Sequence, residues 1–472
     1  MKNIKLLTFG LLLLVLTGSC KKFVEGYEKD PNGLLETNTE QIMQGVLLEQ
    51  QFFLKDDGMR LAMLWLNQAT GSDRQYVAFN DWNNVGNNQL NSPWGEVYTV
   101  VGQARIMEDL ATDVQNFKAR GIAKLYRAWA GGTIALLWGD VPFSQAGLNE
   151  QYPDPAYDNQ ADVLNQVQDL LDEAIADLGG QGIIYDNKDL YYGGDANKWV
   201  NVAHALKARF YLAVGDYANA KSEAQQGIAS ADDDLIAPYD VYPGSYSRYN
   251  PMFQFDVYNR EGYIGETGAY ASQLLQARDN NDETSRLYYN YIPDAGILNS
   301  YPGYWWLGHD GKFAGPQFLL TYGEMLLIQA EAEARINGVA AALPIYNQYR
   351  TMLNSGYGMG TFDWGNVYPP YTIADFQTGG SQYQNGDTEL QAFLRELMEE
   401  RYVYFIGDYM AFVDHARSFN DSNVPNNYMQ LKGNGSYTGQ PLRFIYPQAE
   451  IDSNDNFPGN APDINTPLPI FN

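Results

Sequence analysis

Residues 123–137 read AKLYRAWAGGTIALL, a run that is apolar nearly all round when wound at 3.6 residues per turn. A helix without a polar face is stable in water only if other elements enclose it, so this run demands several helical neighbours. The chain supplies them. Helical periodicity recurs at 97–110, 160–178, 197–214, 217–229, 317–336, 341–353 and 389–404, giving a set of about eight helices. The buried run stops at Trp138-Gly139-Asp140-Val141-Pro142, where Gly and Pro prevent continuation. One junction is more specific than periodicity. Ala208, Tyr211, Gly215-Asp216-Tyr217 and Ala220 have the small–aromatic–turn–small spacing of a tetratricopeptide unit, with two alanines letting helices approach and Gly215 supporting a tight turn. The expected fold class is mostly α, a degenerate helical repeat array.

Long stretches without helical period separate these blocks, at about 67–95, 238–306, 357–383 and 418–472. Eight aromatic residues fall between 238 and 263, and seven more between 288 and 306. Ordered loops of that length are uncommon unless they serve a function, and their aromatic content argues for packed rather than disordered chain.

Composition removes much chemistry. The formal net charge is −27, from 57 acidic and 30 basic side chains, which disfavours a phosphate-binding surface and hence nucleic acid. One cysteine excludes an intramolecular disulfide framework and thiolate metal clusters, and three histidines make a His-rich metal centre improbable. The segment Asp452-Ser453-Asn454-Asp455-Asn456 resembles the start of a calcium loop, but Phe457 stands where glycine is needed. No metal or cofactor is expected. Nor is there a GxSxG elbow, HExxH, Walker A or dinucleotide fingerprint, so the chain is not expected to be an enzyme.

Residues 1–19 read as a lipoprotein signal peptide. Lys2 and Lys5 precede the apolar run 6–16, too short to span a bilayer, and Leu16-Thr17-Gly18-Ser19-Cys20 places the only cysteine after small residues, as at a bacterial lipobox. Acylated Cys20 would start the mature chain. Cleavage removes two lysines and no acid, which takes the net charge from −27 to about −29. The expected organisation is a signal over 1–19, a tether over 20–40 and a single domain over 41–472.

Several ordered motifs resemble the SusD/RagB family of cell-surface lipoproteins of the Bacteroidetes, in the branch described as nutrient-binding. They are Cys20 followed by Asp30-Pro31-Asn32, the turn 138–142, the helix 322–332, Glu399-Glu400-Arg401 with Gly407-Asp408, and the tail Pro441-Leu442-Arg443-Phe444-Ile445-Tyr446-Pro447 with Glu450. The resemblance implies a SusD-like fold with four degenerate tetratricopeptide-like pairs and a loop-rich variable lobe. It also implies an outer-membrane, lipid-anchored position at the cell surface and a SusC-like TonB-dependent transporter as partner, to which captured oligosaccharides, or peptides in a RagB-like complex, are passed. The motifs themselves read as structural: helix ends, packing faces and, at 399–401, solvated or local charge pairs.

A glycan site on such a protein is an aromatic platform with polar rims, because the C–H face of a pyranose packs flat on Tyr or Trp while its hydroxyls meet Asp, Asn and Arg. Two clusters fit. One is Asp73, Arg74, Tyr76, Asp81 and Trp82; the other is Tyr301, Tyr304, Trp305 and Trp306, with Trp364 more distant. Each has a packing alternative: Trp82 seals the helical core, and one of the adjacent Trp305 and Trp306 is buried. Oligosaccharide capture is the leading function. Peptide capture, a glycoside hydrolase whose carboxylate pair hides among 57 acids, and a protein-only adaptor are the rivals.

Overall fold

The computed structural model describes residues 38–82, 85–239, 249–278, 281–300, 311–359, 365, 367–425, 428–429, 439–459 and 461–471. The signal, Cys20, the 301–306 aromatic cluster and Trp364 lie outside the described residues. Residues 39–472 pack as one unit and are mostly helical.

The long helices in chain order are α1 (Thr39–Lys55), α2 (Asp57–Trp65), the short α3 (Arg74–Phe79), α4 (Asn91–Asp113), α5 (Phe117–Trp138), α6 (Gln160–Leu178), α7 (Ala196–Ala213), α8 (Tyr217–Ala224), α9 (Tyr270–Ala277) and α10 (Thr284–Asn290). They continue with α11 (Tyr322–Asn337), α12 (Val339–Asn354), α13 (Glu389–Tyr404), α14 (Tyr409–Ser418) and the short α15 (Gln448–Ser453). Helix α5 is the hub, buried on nearly every residue from Gly121 to Trp138 and packed against α4, α6, α1 and α7. It begins where Asn116 accepts a hydrogen bond from the Ala119 amide and ends at Gly139, whose φ of 93° suits glycine. Helix α6 shows the opposite character, with Val163, Leu164, Val167, Leu171, Ala174 and Leu178 on one apolar stripe and charged residues elsewhere. Between α7 and α8 the turn runs through Gly215 (φ 77°), and the Asp216 carboxylate caps α8 by accepting from the Asn219 amide. Ala208 and Ala220 are fully buried there.

Four two-stranded antiparallel ribbons are present among the described residues: β1 (Thr70–Gly71) with β5 (Ile264–Gly265), β2 (Val141–Pro142) with β3 (Tyr157–Asp158), β4 (Leu235–Ala237) with β8 (Gln317–Leu320), and β6 (Tyr291–Ile292) with β7 (Ile297–Leu298). Strand β8 corrects the expected helix over 317–336. A short apolar run such as Gln317-Phe-Leu-Leu fits a strand as well as a helix. Thr321 decides the boundary, being extended itself and capping α11 by accepting from the Glu324 amide.

The tail and the hub are stitched together across some three hundred residues. The Phe444 amide donates to the Leu137 carbonyl at 2.7 Å, the Trp138 indole donates to the Ile445 carbonyl at 2.9 Å, and Arg443 donates to the Trp138 carbonyl. The Tyr446 hydroxyl closes the set on the Asp140 carbonyl at 2.6 Å. The bonds to the Leu137 and Trp138 carbonyls satisfy acceptors that the last turn of α5 leaves without intrahelical partners.

The charge pairs at 399–401 are neither solvated nor local, contrary to the sequence expectation. Glu400 and Arg401 have no accessible surface. Glu400 accepts from Arg286, from Arg278 at 2.7 Å and from the Tyr349 hydroxyl at 2.7 Å, joining α13 to α10, α12 and the segment after α9. Glu283 takes two further bonds from Arg286, and Glu396 takes Arg278 and Tyr346. A second cluster links α11, α13 and α14: Arg417 grips Glu331 through two 2.7 Å bonds and Asp414 through one of 2.8 Å, while Arg401 binds Asp414. Within these two clusters each buried ion has a hydrogen-bonded counter-ion, which is what burial of charge requires.

This interior charge gives stability a defined pH profile. Burial alone would raise the Glu331 carboxyl, but the Arg417 and Arg335 guanidiniums outweigh it and hold it at about 2. Burial presses the His415 imidazole down to about 4. Both groups bind protons more readily in the unfolded chain, so their contribution is present at neutral pH and is lost as pH falls, through 6.5 to 4 for His415 and through 4.5 to 2 for Glu331. Asp234, Asp256 and Glu399 behave oppositely. Burial raises each to about 7, so their contribution is present below about pH 4 and is lost as pH rises through 7. The expected result is a urea midpoint that is highest at about pH 4 to 5 and declines on both sides. Midpoints measured from pH 3 to 9 would contradict this if they peaked above pH 7.

Candidate binding surface

The segment between β1 and α3 is held in one conformation by short-range chemistry. The Asn80 carboxamide accepts from the Gly71 amide at 2.8 Å and donates to the Gly71 carbonyl at 2.9 Å, imitating a strand partner. Gly71 tolerates no side chain, because a Cβ there would sit 1.8 Å from the Tyr76 carbonyl oxygen. Asp73 then caps α3 by accepting from the Arg74 amide at 2.8 Å. Arg74 itself adopts φ 48°, a left-handed conformation that costs a side-chain-bearing residue free energy and that clusters at functional positions.

A distant stretch of chain completes the surface. Strand β5 pairs with β1, and the Ser72 amide donates to the Tyr263 carbonyl at 2.8 Å, which brings residues 254–263 beside the α3 turn. Residues Gln254–Asn259 form a π-helical turn, a rare local form that is frequent at functional sites. It presents Tyr258, 52% exposed, in front of Phe253 and Tyr249 at centroid distances of 5.5 and 5.6 Å. Tyr263 is half-buried, with the Arg74 guanidinium 5.6 Å and the Arg260 guanidinium 5.7 Å from its ring centre. Asp73 lies 3.7 Å from Arg74, and both side chains are well exposed. The two adjoining segments thus offer two tyrosine rings, two cations and one carboxylate.

The residues expected from sequence divide accordingly. Asp73 and Arg74 are exposed on this surface. Tyr76 is buried, edge-on to Phe79, Phe255 and Tyr263, so its ring backs the surface rather than facing solvent. Asp81 is half-buried, and Trp82 is 5% exposed within the main core cluster. Tyr258, Arg260 and Tyr263 were not singled out as site residues, although the density of aromatics over 238–263 was a signal that pointed at two of them.

The family model described as starch-binding and associating with the outer membrane, SusD-like, matches residues 28–447. No curated protein matches the sequence. Among solved structures, a SusD/RagB family protein from Bacteroides thetaiotaomicron superposes with a TM-score of 0.65 at 21% identity, covering 89% of this chain and 95% of that one. A SusD homologue from Bacteroides fragilis gives 0.65 at 16% identity, over 92% and 100% of the two chains. A chitin-binding SusD homologue from Flavobacterium johnsoniae gives 0.64 at 17% identity, over 91% and 98%. At these identities the structures speak to fold, and the family match extends over most of the sequence: this chain belongs to the SusD-like family.

Proposed function

We propose that this protein captures oligosaccharides at the outer surface of the outer membrane and passes them to a SusC-like TonB-dependent transporter. The observation that carries the reading is Tyr263 flanked by Arg74 and Arg260, with exposed Tyr258 nearby in the chain, beside a turn fixed by Gly71 and Asn80. Ring faces supply contact area to sugar C–H groups at little rotamer cost, and the flanking cations and Asp73 supply donors and acceptors for hydroxyls. The family description and the chitin-binding homologue support a carbohydrate ligand. The reading takes residues 1–19 as a signal, Cys20 as the acylated anchor, 20–40 as a tether and the remainder as one binding domain without catalytic activity. A mature charge near −29 repels polyanions, so neutral or amino-sugar glycans are favoured.

Calorimetry with a panel of neutral, amino-sugar and acidic oligosaccharides beside mixed peptides tests the ligand class. Saturable binding to one glycan class supports the proposal, and binding to peptides alone would transfer the protein to a RagB-like role. The double variant Tyr258→Ala/Arg260→Ala is expected to weaken glycan binding at least about 10-fold while leaving the melting temperature nearly unchanged, since both side chains are exposed. Unchanged affinity would remove this surface from the site. Cys20→Ala is expected to release the protein from membranes in a fractionation experiment, because two or more acyl chains hold stably where none does; persistent membrane association would sink the lipobox.

A further inference from the structure

A cavity of about 490 Å³ lies along α4 and shares no residue with the α3 surface. Its floor is the α4 face carrying Gly95, Thr99 and Gly102, and its walls are Tyr98, Pro142, Pro155 and the edge of Trp94. The loop after β2 closes one end, where a Cβ on Gly147 would come within 3.0 Å of the Gly102 Cα. The size falls within the ~300–1,000 Å³ typical of small-molecule sites.

The polar groups at its edge are held in place. The Tyr98 hydroxyl donates to the Pro142 carbonyl at 2.7 Å, fixing that ring against the β2 strand. Glu450, on α15, accepts on one carboxylate oxygen, Oε1, from the Tyr157 hydroxyl at 2.9 Å and from the Asn454 carboxamide at 2.8 Å. Both bonds fall on the same oxygen, which orients the carboxylate at the cavity edge. Gln103 and Asn149 add carboxamides, and among the described residues no lysine or arginine lines the space. An anion would therefore meet the Glu450 carboxylate with no cation in the lining, the neighbouring Arg105 being engaged by the Phe143, Ser144 and Ala146 carbonyls, whereas a neutral polyol or an amine meets acceptors and donors.

We infer that this cavity is a second ligand site, for a neutral or amino-bearing pyranoside of one or two rings. Glu450 accepts from a hydroxyl or ammonium group, the two carboxamides serve the remaining hydroxyls, and the Tyr98 and proline walls take the C–H face. The α4 glycines are what leave the space open. At Gly95 and Gly102 a Cβ would meet nothing within 4 Å, so their lack of side chains is a property of the cavity rather than of helix packing. Glycine inside a helix is less stable than alanine, a cost that packing at these two positions does not explain.

The test uses the full chain in detergent, with glucose, glucosamine and glucuronic acid as probes and calorimetry or saturation-transfer NMR as readout. Glucose and glucosamine are expected to bind and glucuronic acid to bind at least about 10-fold more weakly. Gly95→Leu fills the floor from a position with free space, and Thr99→Met does so from an exposed one; either is expected to lower binding at least about 10-fold with the melting temperature retained. Glu450→Gln should reduce the preference for glucosamine over glucose. The measurements are made in the Tyr258→Ala/Arg260→Ala background, which removes the α3 surface, so the two sites fail or stand separately. No binding in that background, equal binding of glucuronic acid, or binding there that survives both Gly95→Leu and Thr99→Met would overturn the inference.

Discussion

Glu400→Ala is expected to destabilise the fold by about 3–5 kcal/mol, read as a fall in the urea midpoint at pH 7 with the slope of the transition unchanged. The carboxylate is the shared acceptor for Arg278, Arg286 and the Tyr349 hydroxyl, and it has no accessible surface. Removing it leaves two guanidiniums in a dry interior with Glu283 and Glu396 as their remaining counter-ions. The surrounding charges hold Glu400 ionised: burial opposes this, but Arg286 and Arg278 prevail and keep its pKa far below the ordinary carboxylate range. Glu400→Gln separates charge from shape. It retains an acceptor and the volume, so it should lose less than Glu400→Ala, and the difference between the two measures packing plus the missing hydrogen bonds. A loss below about 1 kcal/mol for the alanine variant would mean that water reaches the arginines and that the cluster is not closed.

Trp138→Ala should cost a similar amount, about 3–5 kcal/mol, for a different reason. The indole is fully buried, edge-on to Trp94 at 5.4 Å and to Phe444 at 4.9 Å, and its N–H is satisfied by the Ile445 carbonyl. Alanine would open a cavity among three elements and leave that carbonyl without its donor. Trp138→Phe keeps much of the volume but not the hydrogen bond, and should lose roughly 1–3 kcal/mol. If the two variants were equally destabilised in thermal or urea melts, the hydrogen bond rather than the packing would be the main contribution of this side chain.

The helical scaffold was legible because its longest helices carry strong patterns: α5 is apolar all round and α6 has a clean stripe. The beginnings and ends were less so. Helix α8 stops at Ala224 rather than extending to 229, and α4 starts six residues earlier than its apolar repeat. Helix α14 was missed because nearly all of it is buried, charged residues included, so no polar face contrasts with an apolar one. Helix α1 does repeat apolar residues at Met43, Val46, Leu47, Phe53 and Leu54, but buried Gln50 and Gln51 between them blur the stripe.

At the candidate surface, Asp73 and Arg74 stand where a capped turn would put them. The inward turn of Tyr76 was not readable, because in a six-residue helix the i, i+3 pair Tyr76 and Phe79 identifies a common face but not which way it points. Arg260 and Tyr263 arrive through a ribbon two residues long, and pairing that short leaves no periodic trace. The buried ion clusters were illegible for a related reason. A sequence shows that Glu399, Glu400 and Arg401 share a helix; it does not show that Arg278 and Arg286 come to meet Glu400 from more than a hundred residues away.

The stitch between the end of α5 and residues 443–446 bears on how the protein is made. The hub helix is synthesised early, yet the groups that complete its last turn emerge from the ribosome about three hundred residues later. During that interval the Leu137 and Trp138 carbonyls and the Trp138 indole have only water for partners. The end of the hub helix is therefore completed only after residues 443–446 have emerged, so this joint is among the last parts of the fold to close.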